Sequence, residues 1–357
     1  MMVKFSYCHV PAYPLEESIE IIKTADECGF HAAYSVDETW WKDMWLLFAA
    51  AADKTTQIRM GPNVTHVILR DPAHVAQMAA TLDQLTNGRA EIVVSFGNIS
   101  MLPQHGIDTT GMKPLSRVLE AREVMRTLLD TGAVTHKGEF FNHTGLWTLA
   151  RPVQEKLPIK LGAMGGPRSF EVGGELFDGV HQAIGTSRET YEYMVEHARK
   201  GADKAGRNVD ELDLGAWLVM SVMEDSVAAR ETARIMAAFY LSAMPEQQLN
   251  RHGISGADIK PILDAFAAGD VPKALELTTP ELGEKFSVAG TPEEVVKRLE
   301  RDIISTGVNH IIGAVVDPYL VKAFTGIDIA NAVDTHAQLR LVRDRVMPAL
   351  EGAAAPA

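Results

Sequence analysis

Several short segments of this 357-residue chain gather residue types that can do chemistry. Asp37-Glu38-Thr39-Trp40-Trp41 sets two adjacent carboxylates before two indoles. Neighbouring side chains on extended backbone point to opposite sides, so one acid can face a cavity while the other faces the scaffold. A carboxyl partly withdrawn from water keeps its proton more readily and can serve as general acid or base. Capping of the following helix is the competing reading for Asp37. Trp41 is expected to offer a flat apolar wall to a planar ligand, and Trp45 to pack inside. Met164-Gly165-Gly166-Pro167-Arg168 is a glycine turn that opens a helix, where main-chain amides and the helix N-terminus suit a phosphate. An ordinary strand-to-helix turn would read the same way. Asn63-Val64-Thr65-His66, Gly97-Asn98 and His181-Gln182 also follow apolar runs and could reach a ligand. No Walker loop, GxSxG elbow, CxxC or HxH spacing occurs, so no metal site is expected.

The elements that must position these residues alternate in type. Strands are predicted at 3–8, 32–36, 58–64, 90–96, 157–164, 178–184, 212–222 and 308–316, each followed by a helical pattern, among them 15–29, 43–55, 71–88, 114–130 and 291–306. Eight strands alternating with helices imply parallel pairing and an α/β (β/α)8 TIM barrel; a doubly wound open sheet is the competitor. Barrel chemistry sits where strands end, which is where the segments above fall. The reading is one domain over 1–350. It carries insertions at about 99–113, 133–149 (a hairpin) and 245–288 (irregular helices), expected as substrate walls, and ends in a disordered tail at 351–357.

Composition narrows the class of function. Apolar residues make up 46% and charged residues 23%, an ordinary globular balance. The net charge of −13 disfavours nucleic acid and anionic membranes as partners. No apolar run is long enough for a membrane span, and the N-terminal residues do not read as a secretory signal. Two cysteines, Cys8 and Cys28, make no disulfide framework and suit a reducing cytoplasm.

The stretch IRMGPNVTHVILRDPAHVAQMAATLDQLTNGRAEIVVSFGN, with its RDP, ATLDQL and NGR, resembles the luciferase-like monooxygenase superfamily. LGAMGGPRSFEVGGELFDGV and AGTPEEVVKRLE are similar to its later segments. The GPNVTHV segment is similar to the coenzyme F420-dependent branch that contains methylenetetrahydromethanopterin reductases. The resemblance implies a luciferase-like barrel holding a deazaflavin at its mouth, with a non-prolyl cis peptide at Asn63-Val64 behind the ring. It further implies phosphate contacts from Ala163, Met164, Gly165 and Gly166, and Asp37 at the deazaflavin edge. Glu38 stands where alcohol- and sugar-phosphate-oxidising relatives carry His, Asn98 where they carry an acid, and Ala183 and Thr186 where the sugar-phosphate enzymes carry Thr and Lys. An alcohol or phosphorylated sugar is therefore not expected. The implied activity is hydride transfer between deazaflavin C5 and an imine, enone or activated ring. Glu38 would move the accompanying proton, Asn98 would hydrogen-bond substrate or ring, and Trp41 would wall the pocket. Thr65, His66, His181 and Gln182 complete the expected cofactor contacts. Two alternatives stay open: FMN in the same place, in a two-component monooxygenase, and a cofactor-binding protein without turnover. A homodimer is expected from the family, and the apolar helix over 43–52 is a candidate interface, burial against the barrel being the other reading.

Overall fold

The computed structural model describes residues 3–351. Eleven strands form: β1 Lys4–His9, β2 Ala32–Ser35, β3 Arg59–His66, β4 Ile92–Ser95, β5 Ala133–Lys137, β6 Asn142–Trp147, β7 Ile159–Ala163, β8 Gly179–Ala183, β9 Asp213–Val222, β10 Ser287–Gly290 and β11 His310–Val315. Eight of them, β1–β4, β7–β9 and β11, coincide with the eight expected strands to within a few residues, and the fold class is the (β/α)8 barrel. They read as near-continuous apolar runs because parallel strands are covered on both faces. All ten residues of β9 and all six of β11 are buried.

The chain divides into two compact units. One comprises His9–Asp26 and His31–Gly162. In it β2 pairs with β3 in parallel from Ala32↔Arg59 to Ser35↔Pro62, β3 with β4, and β4 with β7 from Ile92↔Ile159. The β3–β4 register shifts between Asn63 and Thr65, at a cis Asn63-Val64 peptide. A buried charge cluster braces these strands: Lys160 Nζ meets Glu91 Oε1 at 3.0 Å, Arg59 Nε meets Glu91 Oε2 at 2.8 Å, and the Tyr34 hydroxyl donates to Glu91. The other unit holds the chain up to Cys8, Glu27–Phe30 and everything from Ala163 onward. There β1 pairs with β11, β11 and β8 with β9, and β10 lies beside the end of β9, Val288 opposite Met220. Among the described residues no helix is long and apolar enough to cross a membrane. Cys8 and Cys28 are both free and buried.

The insertions differ from expectation in detail. Residues 133–149 do form an antiparallel hairpin, β5 with β6. The hairpin follows the helix Pro114–Thr131 rather than a strand, and its turn is tied back to that helix. The amides of Glu139, Phe140 and Phe141 all donate to the Glu120 carboxylate, at 2.7–3.1 Å. The hairpin thus also braces an outer helix. Residues 245–288 form four short helices, Glu246–Arg251, Gly256–Ala267, Val271–Leu277 and Pro280–Phe286, and then run into β10, a strand the periodicity did not reveal. Ile99–His105 within 99–113 is a 3₁₀ helix. The 43–55 pattern splits into an α-helix, Met44–Ala51, and a 3₁₀ turn, Ala52–Lys54. Of the expected tail, residues 352–357 lie outside the described residues.

Candidate active site

In the first unit the ends of β2 and β3 bring Asp37, Thr65 and Arg70 together. Arg70 grips the Asp37 carboxylate with both arms, Nε to Oδ2 and Nη2 to Oδ1, each at 2.7 Å. Thr65 Oγ1 donates to Oδ2 at 2.7 Å and Trp45 Nε1 at 3.2 Å. Arg70 reaches on to Asp43 at 3.0 Å, and Asp43 caps the helix Met44–Ala51 through the Leu46 amide. Asp37 thus fixes the loop from both sides, with Arg70, Thr65 and Trp45 as its donors. Trp45 is buried, as expected of it.

Glu38 faces otherwise. Its carboxylate accepts from Trp41 Nε1 at 3.1 Å and from the Asn98 side chain. Burial pushes its pKa above the usual carboxyl range, against the lowering by those two donors, and the nearby Asp37 charge adds to the rise. A carboxyl in this setting retains a proton that it can deliver. Three of the expected site residues, Glu38, Trp41 and Asn98, therefore form one hydrogen-bonded group. Trp40 is 45% exposed and donates to Gln104 at 2.8 Å, which pins the 3₁₀ segment to this loop.

His66 ends β3. Its Nδ1 accepts from the Leu69 amide at 3.3 Å, which leaves Nε2 as the protonated nitrogen of a neutral ring. Burial lowers its pKa, with Arg70 and His105 acting in the same direction and Asp37 opposing. Asn63 is buried and Val64 half-buried at the register shift.

In the second unit Ala163 ends β7, and Met164-Gly165-Gly166 leads into the helix Pro167–Leu176. Gly165 has φ +112°, a region that L side chains rarely adopt. A Cβ on Gly166 would meet nothing nearer than Ser169 Oγ at 3.6 Å, so the turn is open there. The Ser169 and Phe170 amides bond back to the Gly166 carbonyl, whereas the helix has no side-chain cap. Pro167 has no N–H and the Ser169 amide is taken, so an anion would meet the amide of Arg168 and those of the turn itself.

Two further expected residues lie inside β8 rather than beyond it. Gln182 is fully buried; its Nε2 donates to the Ala183 carbonyl at 2.9 Å, and its Oε1 has no partner among the described residues. His181 is corrected as a cofactor contact. Its Nε2 bonds Asp213 Oδ1 at 2.9 Å, deep among the strands, because alternation along β8 turns it away from Gln182. His310 Nδ1 meets the same oxygen at 2.7 Å, Ser6 Oγ meets His310 Nε2 at 2.6 Å, and Lys4 holds Asp213 Oδ2 at 2.9 Å. Ligand-type atoms of His181, Asp213 and His310 lie within 4.8 Å of one another, a grouping that no sequence spacing announced. The strand registers assemble it.

Sequence reasoning also missed Gln248, Arg251 and His252, which the 245–288 excursion returns to the strand ends. Gln248 Nε2 donates to the carbonyls of Ala183 and Ile184, Arg251 to the Gly165 carbonyl at 3.3 Å, and His252 Nε2 accepts the amides of Thr186 and Ser187. Arg70 had a visible signal in the RDP motif; these three had none, lying more than 60 residues from what they touch.

A family model described as luciferase-like monooxygenase matches residues 3–310. A protein of Archaeoglobus fulgidus named 5,10-methylenetetrahydromethanopterin reductase is 31% identical over 322 residues, covering 88% of this chain and 95% of that one. Its namesake from Methanopyrus kandleri is 30% identical, covering 85% and 90%. The solved coenzyme F420-dependent tetrahydromethanopterin reductase of Methanopyrus kandleri superposes with a TM-score of 0.87 at 27% identity, over 98% of this chain and 99% of that one. With its family model spanning most of its length, the chain belongs to the luciferase-like monooxygenase family.

Proposed function

We propose that this chain is a coenzyme F420-dependent oxidoreductase of the methylenetetrahydromethanopterin reductase type, acting on a small organic molecule with an imine-like carbon. The observation that carries the reading is Glu38, a carboxyl with a raised pKa tethered by Trp41 and Asn98 in a chain similar to F420-dependent reductases along most of its length. The residues fit the group: Gln182 Oε1 is a buried acceptor without a donor among the described residues, and the Gly165-Gly166 turn leaves room beside its amides. When bound, the deazaflavin supplies hydride chemistry at its C5.

The chain's own residues do the rest. The amides of the Gly165-Gly166 turn, with Ala163 and Met164 preceding them, hold the phosphate. Gln182 would offer its free acceptor to the deazaflavin, and Asn63, Val64 and the neutral His66, at the β3 register shift, would be further contacts for it. Asp37 and Thr65, locked by Arg70, keep the Glu38 loop in place. Glu38 Oε carries the proton, Trp41 and Asn98 aim it, and the indole keeps water away. Glu38 would deliver its proton to the substrate nitrogen that gives up a bond to the reduced carbon, the π bond of an imine or one C–N bond of a methylene bridge. The chain acts as a homodimer, with Leu46, 73% exposed on the helix Met44–Ala51, in its contact face. It works in the cytoplasm, where two free buried cysteines remain reduced.

Anaerobic titration with F420 and with FMN, followed by tryptophan quenching, tests the cofactor. Oxidation of reduced F420 by a methylene-bridged cyclic diamine tests the reaction. The Glu38→Gln variant is expected to bind F420 as the parent does and to lose roughly 10²–10⁴-fold in turnover. Preference for FMN, or full turnover by Glu38→Gln, overturns the reading.

A further inference from the structure

A cavity of about 640 Å³ lies wholly within the second unit, behind the Thr186-Ser187 segment that follows β8. Six cationic side chains line it: Arg230, Arg251, Lys285, Lys297, Arg298 and Arg301. Only three carboxylates, Glu281, Glu284 and Glu294, share the lining. That surplus of positive charge stands in a chain of net charge −13. Two of the cations are neutralised locally. Arg230 pairs with Glu294 at 2.9 Å and approaches Glu284 at 3.6 Å, and Arg301 pairs with Asp302 at 2.6 Å.

Of the other four, Arg251, Lys285 and Arg298 are held chiefly by neutral groups. Arg251 stacks its guanidinium 3.7 Å from the centre of the Tyr193 ring and reaches the Gly165 carbonyl at 3.3 Å. Lys285 donates to the His252 carbonyl at 2.8 Å. Arg298 donates to Thr186 Oγ1 at 2.7 Å and to the Glu284 carbonyl, and Asp302 is no nearer than 3.9 Å. Lys297 lies on the same helix, Pro292–Asp302, one residue earlier. Among the described residues none of Arg251, Lys285 and Lys297 makes an ion pair within 4.0 Å. Carbonyls and rings fix where these cations sit without cancelling their charge, which is how an anion site is organised in advance. His252, wedged among them, feels the result: burial presses its ring toward the neutral form, the Gln248 carbonyl opposes, and Lys285, Arg298 and Arg251 add to the lowering.

We propose that this cavity is a binding site for a small-molecule anion, a phosphate or carboxylate group held by Arg251, Lys285, Lys297 and Arg298. Two sources share that chemistry: a charged group on the substrate, and the anionic tail of the deazaflavin, toward whose phosphate turn Arg251 reaches through the Gly165 carbonyl. The site itself stands independently of the cofactor reading.

Isothermal titration of the full chain with inorganic phosphate, at low salt and without cofactor, tests the site. Saturable binding is expected, weakened by roughly tenfold or more in Lys285→Gln/Lys297→Gln and in Arg251→Gln, and kept in Lys285→Arg. Thermal melts of each variant separate lost binding from lost folding, and Lys297→Gln alone changes a side chain that makes no ion pair among the described residues. Absence of phosphate binding by the parent chain, or equal binding by every folded variant, overturns the proposal. The source is read from competition. Phosphate that displaces F420 but not its tail-less deazaflavin alcohol assigns the site to the tail. Phosphate that leaves F420 binding untouched and competes with substrate assigns it to the substrate; both outcomes support the site. Failure of the deazaflavin reading alone would show as intact phosphate binding without F420 binding.

Discussion

Asp37 and Glu38 are chain neighbours with opposite fates, and what surrounds each decides it. Asp37 is buried but met by a two-armed guanidinium, a hydroxyl and an indole, so its charge is compensated. Among the described residues Glu38 is met by two neutral donors and by no cation, so burial dominates and its proton is held into higher pH. Removing the cation from Asp37 should therefore be costly. Arg70→Gln leaves a carboxylate with 5% of its side chain in water and no counter-charge. The expected loss is about 2–3 kcal/mol, at the lower end for a broken buried pair because Arg70 keeps 27% of its own side chain exposed. A urea midpoint checks it, and adding Asp37→Asn should recover part of the loss; an unchanged midpoint would show that the pair does not brace the loop. At Glu38 the sign runs the other way for activity. A step that needs its proton slows as pH rises through the raised pKa, and Glu38→Gln should flatten that limb of the kcat profile along with lowering it.

The elements were readable where local pattern and tertiary role agree. Parallel strands covered on both faces show as short apolar runs, and helices such as Pro72–Leu85 announce themselves by a capping Asp71 and a Pro at the first turn. What stayed hidden depends on distant partners. Four residues of β10 become a strand only because the end of β9 offers them a ladder. Lys160 and Glu91 meet across 69 residues, and Gln248, Arg251 and His252 return to strand ends through an excursion with no motif. Within the site, the glycine turn and the acid pair were legible by residue type, whereas the placement of His181 within the strand interior follows from which face of β8 it occupies. Helix packing carries its own test. The helices Pro167–Leu176 and Arg188–Lys204 meet at glycines: a Cβ on Gly174 would lie 2.0 Å from the Ala198 carbonyl oxygen, and one on Gly201 1.8 Å from that of Glu171. Backbone cannot yield as a flexible side chain does, so Gly201→Ala must separate the helices at a cost of about 1–3 kcal/mol. Because the first of these helices begins at the Gly165-Gly166 turn, the same variant should weaken F420 binding as well as lower the melting temperature. A lower melting temperature with unaltered affinity would uncouple the turn from the helix.

The whole molecule buries several bases as neutral groups, and that sets its response to acid. His9 is fully buried, and burial, with a smaller push from Lys42, takes its pKa down to about 3. His66 and His252 are lowered by burial too. For each, the folded chain binds fewer protons than the unfolded chain once pH drops below the ordinary histidine value of about 6.5, so stability present above that pH is lost on acidification. For His9 alone the loss, complete only near its folded pKa, is on the order of 5 kcal/mol. Glu38 opposes this, since a raised carboxyl pKa favours the folded state as pH falls. Glu120 and Asp26, held low by backbone amides, join the loss only once pH approaches the carboxyl range. The window between pH 6.5 and 5 therefore separates the buried histidines from Glu120 and Asp26. The urea midpoint should fall across that window, and His9→Phe, which keeps a ring beside Tyr13 and removes the titration, should fall less steeply. A parent midpoint that stays level from pH 7 to 5 would mean that these rings take up protons without unfolding, and hence that water reaches them in the native chain.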